Sequence, residues 1–490
     1  MQKKTGVIQR FLFGVIIFLS MQTPCFAEET VLEQYVKTPD DEFEYSLVKT
    51  RYDVFYTTYI FDITSQAWHY DEVEPGKWKH WLVIVEPRLF GEYTERLPFF
   101  SLVKTDTALL YLLRGDADHE DRPSDASPQA VQLAMDTRSI VAELHGIPIG
   151  PVTFFDEQPE DYGTFWCDDD NPFKKDDEDC ELLREEDSLQ ARAFDLALST
   201  EDFTWSLMAP MTKAVISGMD VMQEFFQQRF LGRQVVNGFV LTGHSKRGHI
   251  AWLAAALDSR VTGVVPVSYD LLNLSEQVLL QEASWPMRSP EQDANEEFDL
   301  YNRFKSDIGT QLLADIDPYA YRDRLTAPAL ILVGTGDNYS CSDGANIYLK
   351  DMPGDTRISY MPNYGHDIRE IPEVQNSISA FYRRLIKNQP MPDFTWEGLA
   401  DGVFKVMPSI EKPVEVKLWT ATNPSARDFR ENPEIPWTSN FLKAGANGAY
   451  TGTVTRPEQG YTAFYIELIY RDSEYGPLYT LATPITILGD

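Results

Sequence analysis

An α/β fold on a mostly parallel sheet, with helices on both faces and an all-β unit after it, is what this sequence predicts. Three observations lead there. Short, apolar, β-rich runs recur at residues 81–85, 108–113, 238–241, 261–267 and 329–333, and such runs read as strands buried on both faces. Stretches with helical spacing separate them, and that alternation argues for a parallel sheet covered on two sides. After residue 390 the apolar period drops from about four to two.

The first 27 residues stand apart. Lys3, Lys4 and Arg10 precede the apolar run 11–19, and Cys25-Phe26-Ala27 ends in a small residue before Glu28. That arrangement predicts a secretory signal peptide, with an apolar core short of the roughly 20 residues a membrane span needs. No later segment approaches that length, so cleavage is expected to leave an exported, periplasmic or extracellular chain without stable membrane insertion. The formal net charge is −33, and loss of three basic residues with the leader makes it −36. A surface of this sign repels nucleic acid and anionic lipid and draws in cations and basic peptides over about 8–10 Å.

Export implies an oxidising compartment, where Cys167, Cys180 and Cys341 remain. Cys167 and Cys180 bracket a polar loop with seven carboxylates, and a disulfide between them is expected. The carboxylate spacing lacks the central glycine and terminal Glu of an EF-hand, so the loop reads as a solvated acidic hairpin. Cys341 is expected to be a small buried thiol. No zinc spacing, P-loop or dinucleotide fingerprint appears, and neither a cofactor nor a metal is expected.

In chain order, residues 28–388 carry the α/β pattern. Met211, Val215, Met219, Met222 and Phe226 give one apolar helical face. Residues 235–241 form an apolar strand that turns, through Gly243-His244-Ser245-Lys246-Arg247-Gly248, into a helix at 246–257. Residues 275–314 interrupt the rhythm between two core strands, as either a lid over the site or a passive surface excursion does, and residues 379–386 make a final helix. A linker at 387–392 precedes residues 393–490. There Val414, Val416 and Leu418 alternate with Glu415, Lys417 and Trp419, predicting an immunoglobulin- or fibronectin-like sandwich.

The turn at Ser245 carries the chemistry. A serine at a strand–turn–helix junction flanked by glycines is how α/β-hydrolases expose a nucleophilic hydroxyl. The spacing departs from G-x-S-x-G: Arg247 holds the fifth position, with glycine one place later. Asp337 follows the strand at 329–333, and His366 closes Pro362-Asn363-Tyr364-Gly365-His366. Ser, Asp, His is the α/β-hydrolase chain order. A serine hydroxyl needs a base, and the base needs an orienting carboxylate. The pattern therefore implies Ser245 as nucleophile, His366 as base and Asp337 as orienter, with Asp343 and Asp270 as rival acids. The oxyanion donors are expected at the backbone N–H of Lys246 and in the loop near Gly115 or Asp116. Arg247 is placed to meet an anionic substrate group, or is merely solvated. His244 is expected to pack or hydrogen-bond locally.

Several motifs taken together resemble the PhoPQ-activated pathogenicity-related protein family, a group that includes autocrine proliferation repressor-like proteins. They are Ser65-Gln66-Ala67-Trp68, Trp78-Lys79-His80-Trp81, residues 210–215, the Ser-Lys-Arg-Gly of the turn, Asp270-Leu271-Leu272-Asn273, residues 317–323, Pro362 to His366, and Ala426-Arg427-Asp428-Phe429-Arg430. Two positions depart from the pattern: His244 replaces a small residue, and Arg114-Gly115 replaces a glycine pair. The resemblance implies a secreted α/β-hydrolase with a C-terminal β domain; it implies no substrate. The expected activity is serine hydrolysis of an ester or amide, possible substrates including a cationic peptide. The competing expectation is a weak or inactive hydrolase-fold protein that binds, signals or sequesters cationic peptides.

Overall fold

The computed structural model describes residues 29–89, 100–101, 104–115, 119, 122–157, 183–229, 235–399, 402–472 and 476–489. The acidic loop 167–180, Asp116 and residues 1–27 lie outside them. Among the described residues no helix is long and apolar enough to cross a membrane.

The elements that position the site are β1 (Glu44–Tyr52), β2 (Tyr56–Ala67), β3 (Lys77–Leu89), β4 (Thr107–Leu112), β5 (Val141–Leu144), α1 (Glu186–Thr200), α2 (Met208–Arg229), β6 (Gly238–His244), α3 (Lys246–Leu257), β7 (Val261–Val267), α4 (Leu274–Ser284), α5 (Asp307–Ile316), β8 (Ala329–Gly334), β9 (Thr356–Met361) and α6 (Pro372–Ile386). The chain continues as β10 (Phe394–Gly398), β11 (Val403–Pro408), β12 (Glu415–Asn423), β13 (Thr438–Phe441), β14 (Tyr450–Thr453), β15 (Tyr461–Arg471), β16 (Leu478–Ala482) and β17 (Thr486–Gly489).

The large mixed sheet runs β1-β2-β3-β5-β4-β6-β7-β8-β9-β16-β15-β12-β13, with β17 pairing on β15. Six neighbours from β5 to β9 are parallel. The runs at 238–241, 261–267 and 329–333 all lie in these parallel strands. The run at 81–85 lies in β3, which is antiparallel to both neighbours. A continuous apolar run reports burial on two faces and says nothing of direction. Alternate residues of the strands feed opposite cores: Phe239 and Leu241 pack with Met211, Met219 and Ile250 on one face, while Val240 and Val265 pack with Ile378 and Phe381 on the other.

The C-terminal strands form two facing layers. β10, β11 and β14 make the smaller sheet, and Phe404 packs 4.3 Å from Phe464 across the layers. The larger layer is the edge of the central sheet itself, since β16 pairs with β9 through Ile358 and Ala482. Period-two alternation says that each strand has one open face; it cannot say which sheet the strand joins.

Candidate active site

Ser245 sits between β6 and α3 with φ 57° and ψ −126°, a left-handed conformation that costs a non-glycine residue of order 1–3 kcal/mol and is found at functional turns. The turn is held by Ser245 N–H donating to Val267 O at 2.8 Å. A Cβ on Gly243 would come within 2.6 Å of Arg247 Cβ. The absence of that atom is what lets an arginine stand at the fifth position of the motif.

Ser245 and His366 line one cavity of about 150 Å³. His366 Nδ1–H donates to Asp337 Oδ2 at 2.8 Å. The other carboxylate oxygen of Asp337 accepts from Tyr339 N–H at 2.7 Å and Ser340 N–H at 3.2 Å, so the group is fixed in orientation. Among the described residues no hydrogen bond joins Ser245 Oγ to His366. Such contacts often form only in the substrate complex.

The rival acids are committed elsewhere. Asp343 is paired with Arg427. Asp270 is fully buried and accepts from Tyr348 Oη; burial, reinforced by the nearby Asp337 and Asp343, pushes its carboxyl up to about 8. An acid whose folded pKa lies above its unfolded one binds its proton more tightly in the native state. Its contribution to stability is complete below about pH 4 and is lost as pH rises toward 8. Denaturant titrations are expected to show wild-type stability falling over that window relative to Asp270→Asn. Equal slopes for both proteins would show that Asp270 titrates normally.

The cationic pair at the helix start is itself buried and has partly buried carboxylate partners. Lys246 Nζ donates to Glu186 at 2.7 Å and Asp187 at 2.6 Å. Arg247 pairs with Glu186 and donates to Ile147 O, and is 5% exposed. The expectation that Arg247 meets an anionic substrate is thereby corrected, because its charge is already matched inside the protein. Gly115 does not line the cavity that Ser245 and His366 share. It lines a neighbouring cavity with Trp81, His119 and Gly146, and a Cβ there would come 2.7 Å from Gly146 Cα. The backbone N–H of Lys246, in the first turn of α3 where amides have no intrahelical acceptor, stays beside the serine.

Three residues of the site, Ser268, Tyr339 and Asp187, escaped the reading of the sequence, while His244 hydrogen-bonds and packs beside the serine rather than reacting. Ser268 Oγ–H at 2.6 Å and His244 Nε2–H at 2.9 Å both donate to His366 O, pinning its backbone. Burial, with His366 close by, pushes the His244 imidazole down to about 4, so it stays a neutral donor. The Tyr339 ring lies 4.2 Å from the His366 ring, and its hydroxyl donates to Asp187 at 2.7 Å. Asp187 thus joins the elbow lysine to the wall beside the base. Ser268 directly follows β7, and that position was its one available signal; Tyr339 offered none.

Leu274, Gln277, Val278, Phe304, Leu313 and Ile316 line part of the cavity. Cys341 is a free, buried thiol, pushed up to about 12 mainly by burial.

Comparison with known proteins agrees with the motifs. The model of the family described as "PhoPQ-activated pathogenicity-related protein" matches residues 32–162 and 172–430. Autocrine proliferation repressor protein A of Dictyostelium discoideum is 29% identical over 483 residues, covering 93% of this chain and 88% of that protein. Among solved structures, acetyl xylan esterase 1 from Thermoanaerobacterium sp. JW/SL YS485 aligns with TM-score 0.43 and 13% identity over 72% of this chain and 92% of that one. A glucuronoyl esterase from Solibacter usitatus aligns with TM-score 0.38 and 12% identity over 73% and 90%.

Proposed function

We propose that this chain, which belongs to the PhoPQ-activated pathogenicity-related protein family, is an exported serine hydrolase that cleaves an ester or amide through an acyl-enzyme. One observation carries the reading: an Asp337–His366 hydrogen bond opens onto the cavity that a strained, strand-to-helix Ser245 also lines. With its Nδ1 proton held by Asp337, His366 offers the Nε2 lone pair to the Ser245 hydroxyl. Oγ attacks the carbonyl carbon, its proton passes to Nε2, and the oxyanion meets the Lys246 N–H at the head of α3. His366 then returns the proton to the leaving oxygen or nitrogen. Water attacks the ester of Ser245 by the same route and frees the acid.

The covering segment 275–314 acts in this reading as a lid. The C-terminal strands act as an immunoglobulin- or fibronectin-like module that serves the site. The net charge of −33 favours a cationic peptide among amide or ester substrates. A basic peptide that neither binds nor is cleaved at low salt would remove that class.

A second reading is favoured by the missing contact between Ser245 and His366: a hydrolase-fold protein that binds or signals without turnover, or sequesters cationic peptides by charge. Labelling with a fluorophosphonate probe, read by intact mass, separates the two. The hydrolase reading expects a single adduct on the mature protein, lost in Ser245→Ala and in His366→Ala. No adduct on folded wild type would favour the binding reading. Retention of any bound peptide at moderate ionic strength would then exclude a sink run by charge alone.

A further inference from the structure

The Ala426-Arg427-Asp428-Phe429-Arg430 motif has no place in the chemistry above, yet the chain around it crosses from the C-terminal strands to the triad. Asn423, at the end of β12, starts the excursion: its Oδ1 accepts from Ser425 N–H and Ala426 N–H, and its Nδ2 donates to Asp428 O at 2.7 Å. Phe429 and Trp437 anchor it in the core, each 4% exposed, with Trp437 5.5 Å from Tyr465 of β15.

Between those anchors the segment touches both loops that carry triad residues. Glu431 N–H donates to Gly336 O at 2.9 Å, one residue before Asp337. A Cβ on Gly336 would lie 2.7 Å from Glu431 N, so only glycine admits the approach. A Cβ on Gly365, one residue before His366, would lie 2.4 Å from Glu431 Oε2. Asn363 and Trp437 are joined reciprocally: Asn363 Nδ2 donates to Trp437 O at 3.0 Å, and Trp437 N–H donates to Asn363 Oδ1 at 2.7 Å.

The same segment holds the cover. Arg427 bridges Ser284, at the end of α4, to Asp343, in the loop after Asp337. Arg430 donates to Met287 O at 3.1 Å and lies 4.4 Å over the Trp285 ring.

We propose that residues 423–437 form a positioning strap for the active site, in which Asn363 and the Glu431 backbone hold the His366 and Asp337 loops in register and Arg427 ties the covering helix α4 to the Asp337 loop. None of these residues touches the reacting atoms; they act through the residues that do. The kinetic part of the proposal rests on the hydrolase reading, while the structural part does not.

Two variants test it. Asn363 has φ 65°, so Asn363→Gly removes both side-chain bonds without backbone strain. It is expected to lower kcat, and the rate of fluorophosphonate labelling, by about tenfold with KM nearly unchanged, since small misplacements of reacting groups are costly. Arg427→Met is expected to do the reverse, raising KM severalfold by loosening α4 with kcat nearly kept. Arg427→Lys should fall between, because an ammonium cannot span both partners as the guanidinium fork does. Hydrogen exchange of residues 334–343 and 362–369 supplies a readout that needs no turnover, and it should accelerate at 362–369 in Asn363→Gly. Should that variant fail to fold, the exchange and KM of Arg427→Met decide. Wild-type exchange in both loops together with unsplit kcat and KM would overturn the strap. A wild type that takes up no probe would overturn the hydrolase reading alone, and exchange would still read the strap.

Discussion

Asp337→Asn is expected to lower kcat by about ten-thousandfold while leaving the fold intact, the order seen when the orienting carboxylate of such a triad becomes an amide. The Asp337 carboxylate accepts from His366 Nδ1 on one oxygen and from two backbone amides on the other. An amide retains acceptor capacity on one side only. Keeping the bonds to Tyr339 and Ser340 turns its NH₂ toward His366, which stabilises the imidazole tautomer with the proton on Nε2. That tautomer cannot take the serine proton. Steady-state kinetics on any ester found by screening, beside Asp270→Asn and Asp343→Asn, would check the assignment. A larger loss in Asp270→Asn than in Asp337→Asn would move the orienting role to Asp270.

Glu186→Gln is expected to destabilise the protein by about 2–3 kcal/mol, somewhat below the range for breaking a fully buried ion pair, because Lys246 and Arg247 are buried while Glu186 keeps some contact with solvent. Glu186 faces both Lys246 and Arg247 at the start of α3, where positive side chains also oppose the helix dipole. Lys246 keeps Asp187, whereas among the described residues Arg247 keeps only the carbonyl of Ile147. Burial raises the Glu186 pKa, but the two cations outweigh it and hold the carboxyl down at about 2. A depressed folded pKa contributes stability above the unfolded value, near 4.5, and loses it as pH falls toward 2. Denaturant titrations from pH 7 to pH 3 should therefore show the gap between wild type and variant closing below about pH 4.5. A gap near zero at pH 7 would mean that the pair does not support the elbow. Adding Arg247→Met should recover part of the loss by removing the stranded charge.

The parallel core was legible because its strands repeat one signal, an apolar run bounded by turns and followed by a helical stretch. The helix at Met208–Arg229 was legible from apolar residues spaced three and four apart, and the one at Lys246–Leu257 from its small side chains after the turn, although both are buried well beyond one face. The local chemistry of the elbow was legible too, since a serine between glycines at a strand end is a short-range pattern. The fates of Arg247 and Gly115 were not. Whether a guanidinium faces substrate or a carboxylate of the protein itself depends on Glu186, 61 residues away. Whether a glycine offers its amide or packs against a neighbour depends on Gly146, which approaches it from another strand end.

What the sequence by itself determined about this protein is the order of its layers, the serine turn and the three acids that compete to orient His366, because periodicity and turn chemistry act between residues a few places apart. Only the tertiary structure decided which acid faces His366, joined the C-terminal strands to the central sheet through β9, and laid residues 423–437 across the triad loops. Those outcomes follow from contacts between distant segments, where burial, charge pairing and the room left by Gly336 and Gly365 select among arrangements that local pattern leaves equal.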